Sequence, residues 1–539
     1  MHDMQAHATH PGEHLLTKII ATLGPACADV ATIVRLIEEG ARVFRINFSH
    51  GAFDDAAQLL GKVRQAAQQS GRDVGVLGDL PGPKIRVGKV HDAIVLETGD
   101  RVVFTDESAG VPAGDAEGEL PARFATTYPS VIRDIDIGHR LLVNDGAVRM
   151  LVIDKLAHGG SDALAQALAQ KSMAWRHALV CRVIVGGPVT RGKGINLPDS
   201  KLNVPSITPR DRECIDWALD NALDFLALSF VRHADDVRQL KGILAAHRKQ
   251  HHGSALPVIA KIETPQALVE LEGIIDQADG VMVARGDLGV EMELAEVPVI
   301  QKRIIRLAHD HGKPVIVATQ MLESMIQSAA PTRAEVSDVA NAIFDGADAV
   351  MLSGETAVGA HPVQVVNVMA RIARRTGADI SGASGGSGGA ADLVYRSRAP
   401  MKLRESRYRT AALAHGVSVV VKDLGAKLVV NWSELGGGAR YLSQNRLDVP
   451  ILAFSSNRAA LRQMNLMFGV VPLWMQRPAD GHDFIRQIDQ LIREHQWAQV
   501  GDPIVVVKGE PIGVPGVTNQ IAIHYVGDVV RLRWRPKAE

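Results

Sequence analysis

The chain has 539 residues, 46% of them hydrophobic and 22% charged, with a formal net charge of −1, a balance that excludes both a disordered tail and a polycation holding nucleic acid by bulk charge. No apolar run approaches the roughly 18 residues of a membrane span, and no basic-then-apolar leader opens the sequence. The three cysteines, Cys27, Cys181 and Cys214, stand far apart outside any C-x-x-C spacing, so a reduced cytoplasmic protein of about three or four domains, with no membrane or nucleic-acid partner, is expected.

Residues 1–16 are polar and aperiodic, and their four histidines, His2, His7, His10 and His14, read as a frayed lead rather than a metal site. From residue 17 onward, short apolar runs alternate with amphipathic stretches, the pattern of repeated βα units. The runs are KIIATLG (18–24), VFRINFS (43–49), VGVLGDL (74–80), FLALSF (225–230), PVIAKIE (257–263), GVMVARG (280–286), PVIVATQ (314–320) and AVMLSGE (349–355). Eight such units favour a closed (β/α)8 barrel, a TIM barrel, over an open sheet. The third unit is interrupted by β-rich text, so the barrel is assigned to 17–87 and 187–376 and an inserted, β-barrel-like lid domain to 88–186. Within the insert, 157–177 is Ala/Gln-rich and predicts a helix. A Gly/Ser-rich stretch, 377–397, has linker composition. Beyond it, at 398–539, KLVVNW, PILAFS, VVPLW, PIVVVK and IAIHY alternate with helical text and predict a C-terminal open-sheet α/β domain.

In a (β/α)8 barrel the chemistry sits at the C-terminal ends of the strands. Those positions carry Arg45, Asn47, Ser49 and His50 on the second strand, Asp79 on the third with Lys84 and Arg86 beyond it, and Ser229 on the fourth. The fifth carries Lys261 and Glu263, the sixth Arg285 and Asp287, the seventh Thr319, and the eighth Ser353 and Glu355. Glu263 and Asp287, from neighbouring strands, suffice to hold Mg²⁺ or Mn²⁺ while leaving positions for substrate oxygens. Lys261 lies two residues before Glu263, so both side chains share a face. An ammonium beside a metal suits a transferring phosphoryl group, and Arg45 and Arg86 add fork-shaped donors. These groups together call for an anionic, phosphorylated substrate. Taken singly, a K-x-E pair reads as a surface ion pair, and Thr319 or Ser353 as a helix cap; it is their coincidence on one rim that carries the reading.

A near-match to a phosphate-binding P-loop, GPVTRGKG at 187–194, is set aside. Gly194 stands where a metal-binding hydroxyl is needed, and no long helix follows.

The segments TKIIATLGPA, VFRINFSHG, KGINLP, AKIETPQAL, VMVARGDLGVE, KPVIVATQMLESM, PTRAEVSDVANAIFDGADAVMLSGETA and GEPIGVPGVTNQI resemble the pyruvate kinase family. That resemblance implies magnesium-dependent phosphoryl transfer from phosphoenolpyruvate to ADP, giving pyruvate and ATP. It implies Glu263 and Asp287 as metal ligands and Lys261 as the charge that stabilises the phosphoryl group in flight. Arg45, Ser229, Lys261, Gly286, Asp287 and Thr319 would hold phosphoenolpyruvate, with Thr319 and Ser353 near the proton that reaches the enolate. Asn47, His50, Arg86 and Lys193 would contact ADP or ATP beneath the lid. Asn47, Ser49, Asp79 and the carbonyl of Leu80 match the family's monovalent-cation site. Lys84 stands where potassium-dependent members have glutamate, which implies that its ammonium replaces K⁺. A homotetramer is also implied.

The chain departs from the family at NWSELGGGARYLS (431–443), where hydroxyls are sparse for a sugar-bisphosphate loop; activation by such an effector is not expected. A metal-dependent lyase of the same barrel group would need neither the lid nor the C-terminal domain. A non-catalytic paralogue would have lost one of Lys261, Glu263, Asp287 or Thr319, and all four are present.

Overall fold

The computed structural model describes residues 14–90, 92–107, 114, 121–128, 130–156, 178–251, 256–380, 400–402 and 408–528. The helix expected at 157–177 and most of the Gly/Ser stretch lie outside the described residues.

Eight parallel strands close into a barrel: Lys18–Thr22, Ala41–Asn47, Gly75–Asp79, Phe225–Leu228, Val258–Ile262, Gly280–Ala284, Val315–Ala318 and Ala349–Leu352. Each lies within one of the eight predicted runs except the second, which starts at Ala41, two residues earlier. Helices on the outer face bury the apolar sides of these strands, and inside the barrel a second apolar layer forms from Ile20, Val43, Leu77, Ala227, Ile259 and Met282 with their neighbours. Two residues further along, the same faces carry Thr22, Arg45, Asp79, Ser229 and Lys261. Period-2 alternation thus converts an apolar floor into a polar mouth within one strand repeat.

The floor is finished by the C-terminal domain, whose Leu466 joins the interior layer. Asp224, Asp279 and Asp348 immediately precede the fourth, sixth and eighth strands, and their carboxylates accept the N–H of Val76 (2.8 Å), Val258 (2.9 Å) and Val315 (2.8 Å) on the strands before them. Two of the three also receive a guanidinium from the C-terminal domain, Arg462 on Asp224 at 2.7 Å and Arg446 on Asp348 at 3.0 Å. These aspartates, buried at 1% and 0% exposure of the side chain, are thereby both paired and hydrogen-bonded, as buried charges need to be.

The insert forms a six-stranded sheet plus a two-stranded one. It runs further than residue 186: Gly187–Val189 pairs with Ile94–Leu96, and Ile195–Asn196 pairs with Arg140–Val143. Gly187–Val189 being a strand edge, the GPVTRGKG segment opens no helix. The helix Pro362–Ile380 takes in the first four residues of the expected linker. His14, Leu15 and Leu16, expected in a frayed lead, are packed instead: Leu15 is buried, the His14 ring meets Trp497 edge-on, and the Leu16 carbonyl accepts the Gly469 N–H at 2.9 Å.

The C-terminal domain is a five-stranded sheet in the order Val470–Trp474, Ile451–Ser455, Val429–Trp432, Pro503–Lys508, Gln520–Tyr525. The first four are parallel and the last, at the edge, is antiparallel. No described helix is long and apolar enough to cross a membrane.

Candidate active site

Asp79 is the hub of the barrel mouth. Its Oδ2 accepts Arg45 Nε and Nη2, both at 2.7 Å, and its Oδ1 accepts Lys261 Nζ at 3.1 Å. Burial alone would push this carboxyl up, but the ammonium of Lys261 and the guanidinium of Arg45 outweigh it and hold it below the usual carboxylate range.

Lys261 in turn touches Asp79, Glu263 Oε1 at 3.0 Å and Ser229 Oγ at 2.8 Å. Burial disfavours its charge, yet Asp79 and Glu263 raise its pKa above the ordinary lysine value. It is therefore a fixed ammonium, not a base. Glu263 is 1% exposed; its second oxygen accepts the N–H of Phe230 at 2.7 Å. Burial raises its carboxyl, Lys261 opposes that, and the nearby charge of Asp287 raises it again. Asp287, in the first turn of the helix Arg285–Glu291, is thus near enough for its charge to act on both Glu263 and Lys261.

Two carboxylates whose like charges act on one another suit a hard divalent cation, and carboxylate oxygens are the ligands Mg²⁺ or Mn²⁺ takes. Among the described residues no group of three or more His, Cys, Asp or Glu side chains could hold a metal. A cation held by these two carboxylates alone would have positions left for water and substrate oxygens.

On the far side of the mouth, Thr319 Oγ1 accepts the Gly286 N–H at 2.7 Å and donates to Ala318 O at 2.6 Å. A Cβ on Gly286 would sit 3.3 Å from that hydroxyl oxygen, so any larger residue there would press on it. The N–H of Ser353 donates to Glu355 Oε2 at 2.7 Å, while its Oγ is buried with no hydrogen-bond partner.

Not every rim residue converges. The amide oxygen of Asn47 accepts the Ser49 N–H at 3.1 Å in a local turn, although Asn47 is in register with Asp79 on the next strand. The Leu80 carbonyl accepts Ser229 Oγ at 2.7 Å. His50 is exposed. Arg86 and Lys193 lie on the paired crossing into the lid, where Arg86 Nη1 donates to Gly192 O at 2.8 Å and the Val87 N–H to Lys193 O at 2.9 Å. Lys84 lies against Gly194 at the same crossing: a Cβ there would be 3.1 Å from Lys84 Cε. Arg285 is engaged instead by the Thr319 and Gln320 carbonyls and the Asp338 carboxylate.

Two residues were missed from the sequence, Glu291 and Asn196. Asn196 Nδ2, at the root of the lid, donates to Glu291 Oε1 at 2.8 Å, tying the lid to the helix Arg285–Glu291 that carries Asp287. The available signal was spacing: Glu291 follows Asp287 by four residues, one helical turn.

The family model described as pyruvate kinase, barrel domain, matches residues 15–366, and that described as pyruvate kinase, alpha/beta domain, matches 411–524. The chain is 40% identical over 517 residues to a pyruvate kinase of Corynebacterium glutamicum, covering 96% of this chain and 98% of that one. To a pyruvate kinase of Mycobacterium tuberculosis it is 38% identical over 511 residues, covering 95% and 98%. A crystal structure of a pyruvate kinase from Cryptosporidium parvum superposes with a TM-score of 0.81 at 31% identity, covering 96% of this chain and 97% of that one. The chain belongs to the pyruvate kinase family, phosphotransferases that carry phosphoenolpyruvate and ADP to pyruvate and ATP in the last step of glycolysis.

Proposed function

We propose that the cluster centred on Lys261 is the site of phosphoryl transfer and that its residues divide the work as follows. Glu263 and Asp287 hold Mg²⁺ or Mn²⁺. When bound, that cation supplies positive charge against the phosphate oxygens. Lys261 places a permanent ammonium beside the group in flight, and Arg45 adds a guanidinium next to it. Ser229, Gly286, Asp287 and Thr319 orient phosphoenolpyruvate, and Thr319 and Ser353 lie along the route by which a proton reaches the enolate carbon. Asn47, His50, Arg86 and Lys193 face the nucleotide beneath the lid.

The observation that carries this reading is the pairing of Lys261 with both Asp79 and Glu263 inside the mouth. Charge bookkeeping supports it. Arg45 and Lys261 against Asp79, Glu263 and Asp287 leave the mouth one negative charge in excess, hostile to a phosphate ester; a divalent cation reverses the sign. Pyruvate formation from phosphoenolpyruvate, coupled to lactate dehydrogenase, tests it: turnover should require both ADP and the divalent cation, and turnover without ADP would reject it.

Lys84 is proposed to make K⁺ unnecessary. Support comes from Asp79, whose two oxygens are already committed to Arg45, Lys261 and Ser229. Asn47, Ser49 and Leu80 complete the matching group.

The crevice at the C-terminal ends of the Val429–Trp432 and Pro503–Lys508 strands is lined by Tyr408, Trp432, Glu434 and Tyr441 among others; among the described residues its walls carry no lysine or arginine, although Arg409 donates to the Gly516 carbonyl at 3.4 Å and Arg477 to the Ile512 carbonyl at 2.7 Å beside it. The lack of sugar-bisphosphate activation is proposed on the sparse hydroxyls of residues 431–443. A homotetramer in the cytoplasm is proposed on the resemblance, with exposed Val269, Leu294 and Val299 on the barrel and Ile523 and Tyr525 on the edge strand as surfaces to be covered. Light scattering at a mass other than four chains would reject it.

A further inference from the structure

We propose that Arg285 is a positioning residue for the reaction: together with the neighbouring Gly286 N–H it clamps the turn Thr319–Gln320 from two sides and so fixes the Thr319 hydroxyl in the mouth. The proposal rests on the assignment of Thr319 to the substrate.

Thr319 and Gln320 have φ of 69° and 54°. Two successive residues with a Cβ in the left-handed region are disfavoured, and such a turn persists only where its surroundings hold it. The holding groups are identifiable. Arg285 Nε and Nη2 both donate to Thr319 O, at 3.3 and 2.9 Å, and Nη2 also reaches Gln320 O at 3.2 Å. Nη1 is anchored on the Asp338 carboxylate at 2.7 Å from its Oδ2, on the helix Arg333–Phe344 that follows. One planar fork thus grips both strained carbonyls and ties them to a helix. A point-like ammonium at this place cannot satisfy the same acceptors.

The opposite side of the turn is held by the next residue in sequence. The Gly286 N–H donates to Thr319 Oγ1 at 2.7 Å, and that hydroxyl donates to Ala318 O at 2.6 Å. The hydroxyl hydrogen and one acceptor direction are therefore spoken for, and the direction left over is fixed by the turn. With its fork directed at Thr319, Gln320, Met321 Sδ (2.8 Å) and Asp338, Arg285 makes no hydrogen bond to the Asp79 hub among the described residues; its effect on the reaction passes through Thr319.

The test compares Arg285→Lys, Asp338→Asn and Thr319→Ala in the full-length enzyme, with and without Gln320→Gly. Arg285→Lys should lower kcat by roughly 10²-fold, the scale of a misplacement near 1 Å, with KM for ADP within about twofold. Asp338→Asn, which keeps the arginine and removes only its anchor, should show a smaller loss in the same direction. Gln320→Gly, which relieves the left-handed strain at φ 54°, should recover at least part of the Arg285→Lys loss and none of the Thr319→Ala loss. Full activity of Arg285→Lys alongside an impaired Thr319→Ala would overturn the clamp alone. Full activity of Thr319→Ala would overturn the assignment of Thr319 and the clamp with it. Should Arg285→Lys fail to fold, Asp338→Asn with wild-type kcat overturns the proposal.

Discussion

Lys261 and Asp79 stand 182 residues apart in the chain and meet at 3.1 Å inside the barrel. Asp79 sits 1% exposed between that ammonium and the Arg45 guanidinium, so it is the counter-charge that lets two cations share a desolvated mouth. Asp79→Asn removes this compensation, leaving Lys261 with Glu263 alone and Arg45 without its carboxylate. Breaking a buried ion pair from one side costs on the order of 3–5 kcal/mol. A fall of that size in unfolding free energy, together with weaker phosphoenolpyruvate binding, is expected from chemical denaturation and steady-state kinetics. A variant with wild-type stability would show that the two cations do not depend on Asp79.

The proposal that Lys84 stands in for K⁺ predicts activity independent of the monovalent cation. Initial rates in KCl and in a tetramethylammonium salt of equal ionic strength should agree within about twofold, because a fixed ammonium supplies the charge that a bound ion otherwise contributes. Lys84→Glu should reverse this and make the rate K⁺-dependent. A collapse of the unmutated enzyme in tetramethylammonium would refute the replacement.

Glu291 gives the metal-free protein a pH-dependent weakness. Burial pushes its carboxyl up to about 7, and the charge of Asp287 adds to that while the Asn196 bond opposes it. The unfolded chain releases this proton at the ordinary value of 4.5. Between those two values the folded state binds more proton than the unfolded one, so stability falls as pH rises and levels off above about 7, a loss on the order of 3 kcal/mol. In EDTA, Glu291→Gln should therefore melt higher than the parent at pH 8 and equally at pH 4.5 or below. An equal offset at both pH values would rule this out.

Because hydroxyls are sparse in residues 431–443 of the C-terminal domain, fructose 1,6-bisphosphate at millimolar concentration should leave the half-saturating phosphoenolpyruvate concentration unchanged within about twofold, a sigmoidal-to-hyperbolic shift being the contrary result.

The barrel was legible in the sequence because each strand is an apolar run broken by a polar residue at its C-terminal end, and a parallel barrel buries both faces of its strands. The same rule placed Lys261, Glu263, Asp287 and Thr319 on one rim. It did not show that Asp79 would bind two cations, since Arg45 lies 34 and Lys261 182 residues away and partners across a barrel leave no spacing along the chain. Arg285 looked like a rim charge because it follows a strand directly, yet the first residue of the ensuing helix turns its fork towards the neighbouring loop. Positive φ at Thr319 and Gln320 has no glycine to announce it. The lid ran past residue 186 because Gly187–Val189 and Ile195–Asn196 are too short to display alternation.

The charge on Lys261 is best tested by removing it without removing its bulk. Lys261→Met should keep Mn²⁺ affinity within a few-fold, since Glu263 and Asp287 remain, and lose ~10³ or more in kcat for ADP-dependent pyruvate formation. A kcat within tenfold of the unmutated enzyme would mean that the ammonium held between Asp79 and Glu263 is a structural ion and not the partner of the transferring phosphoryl group.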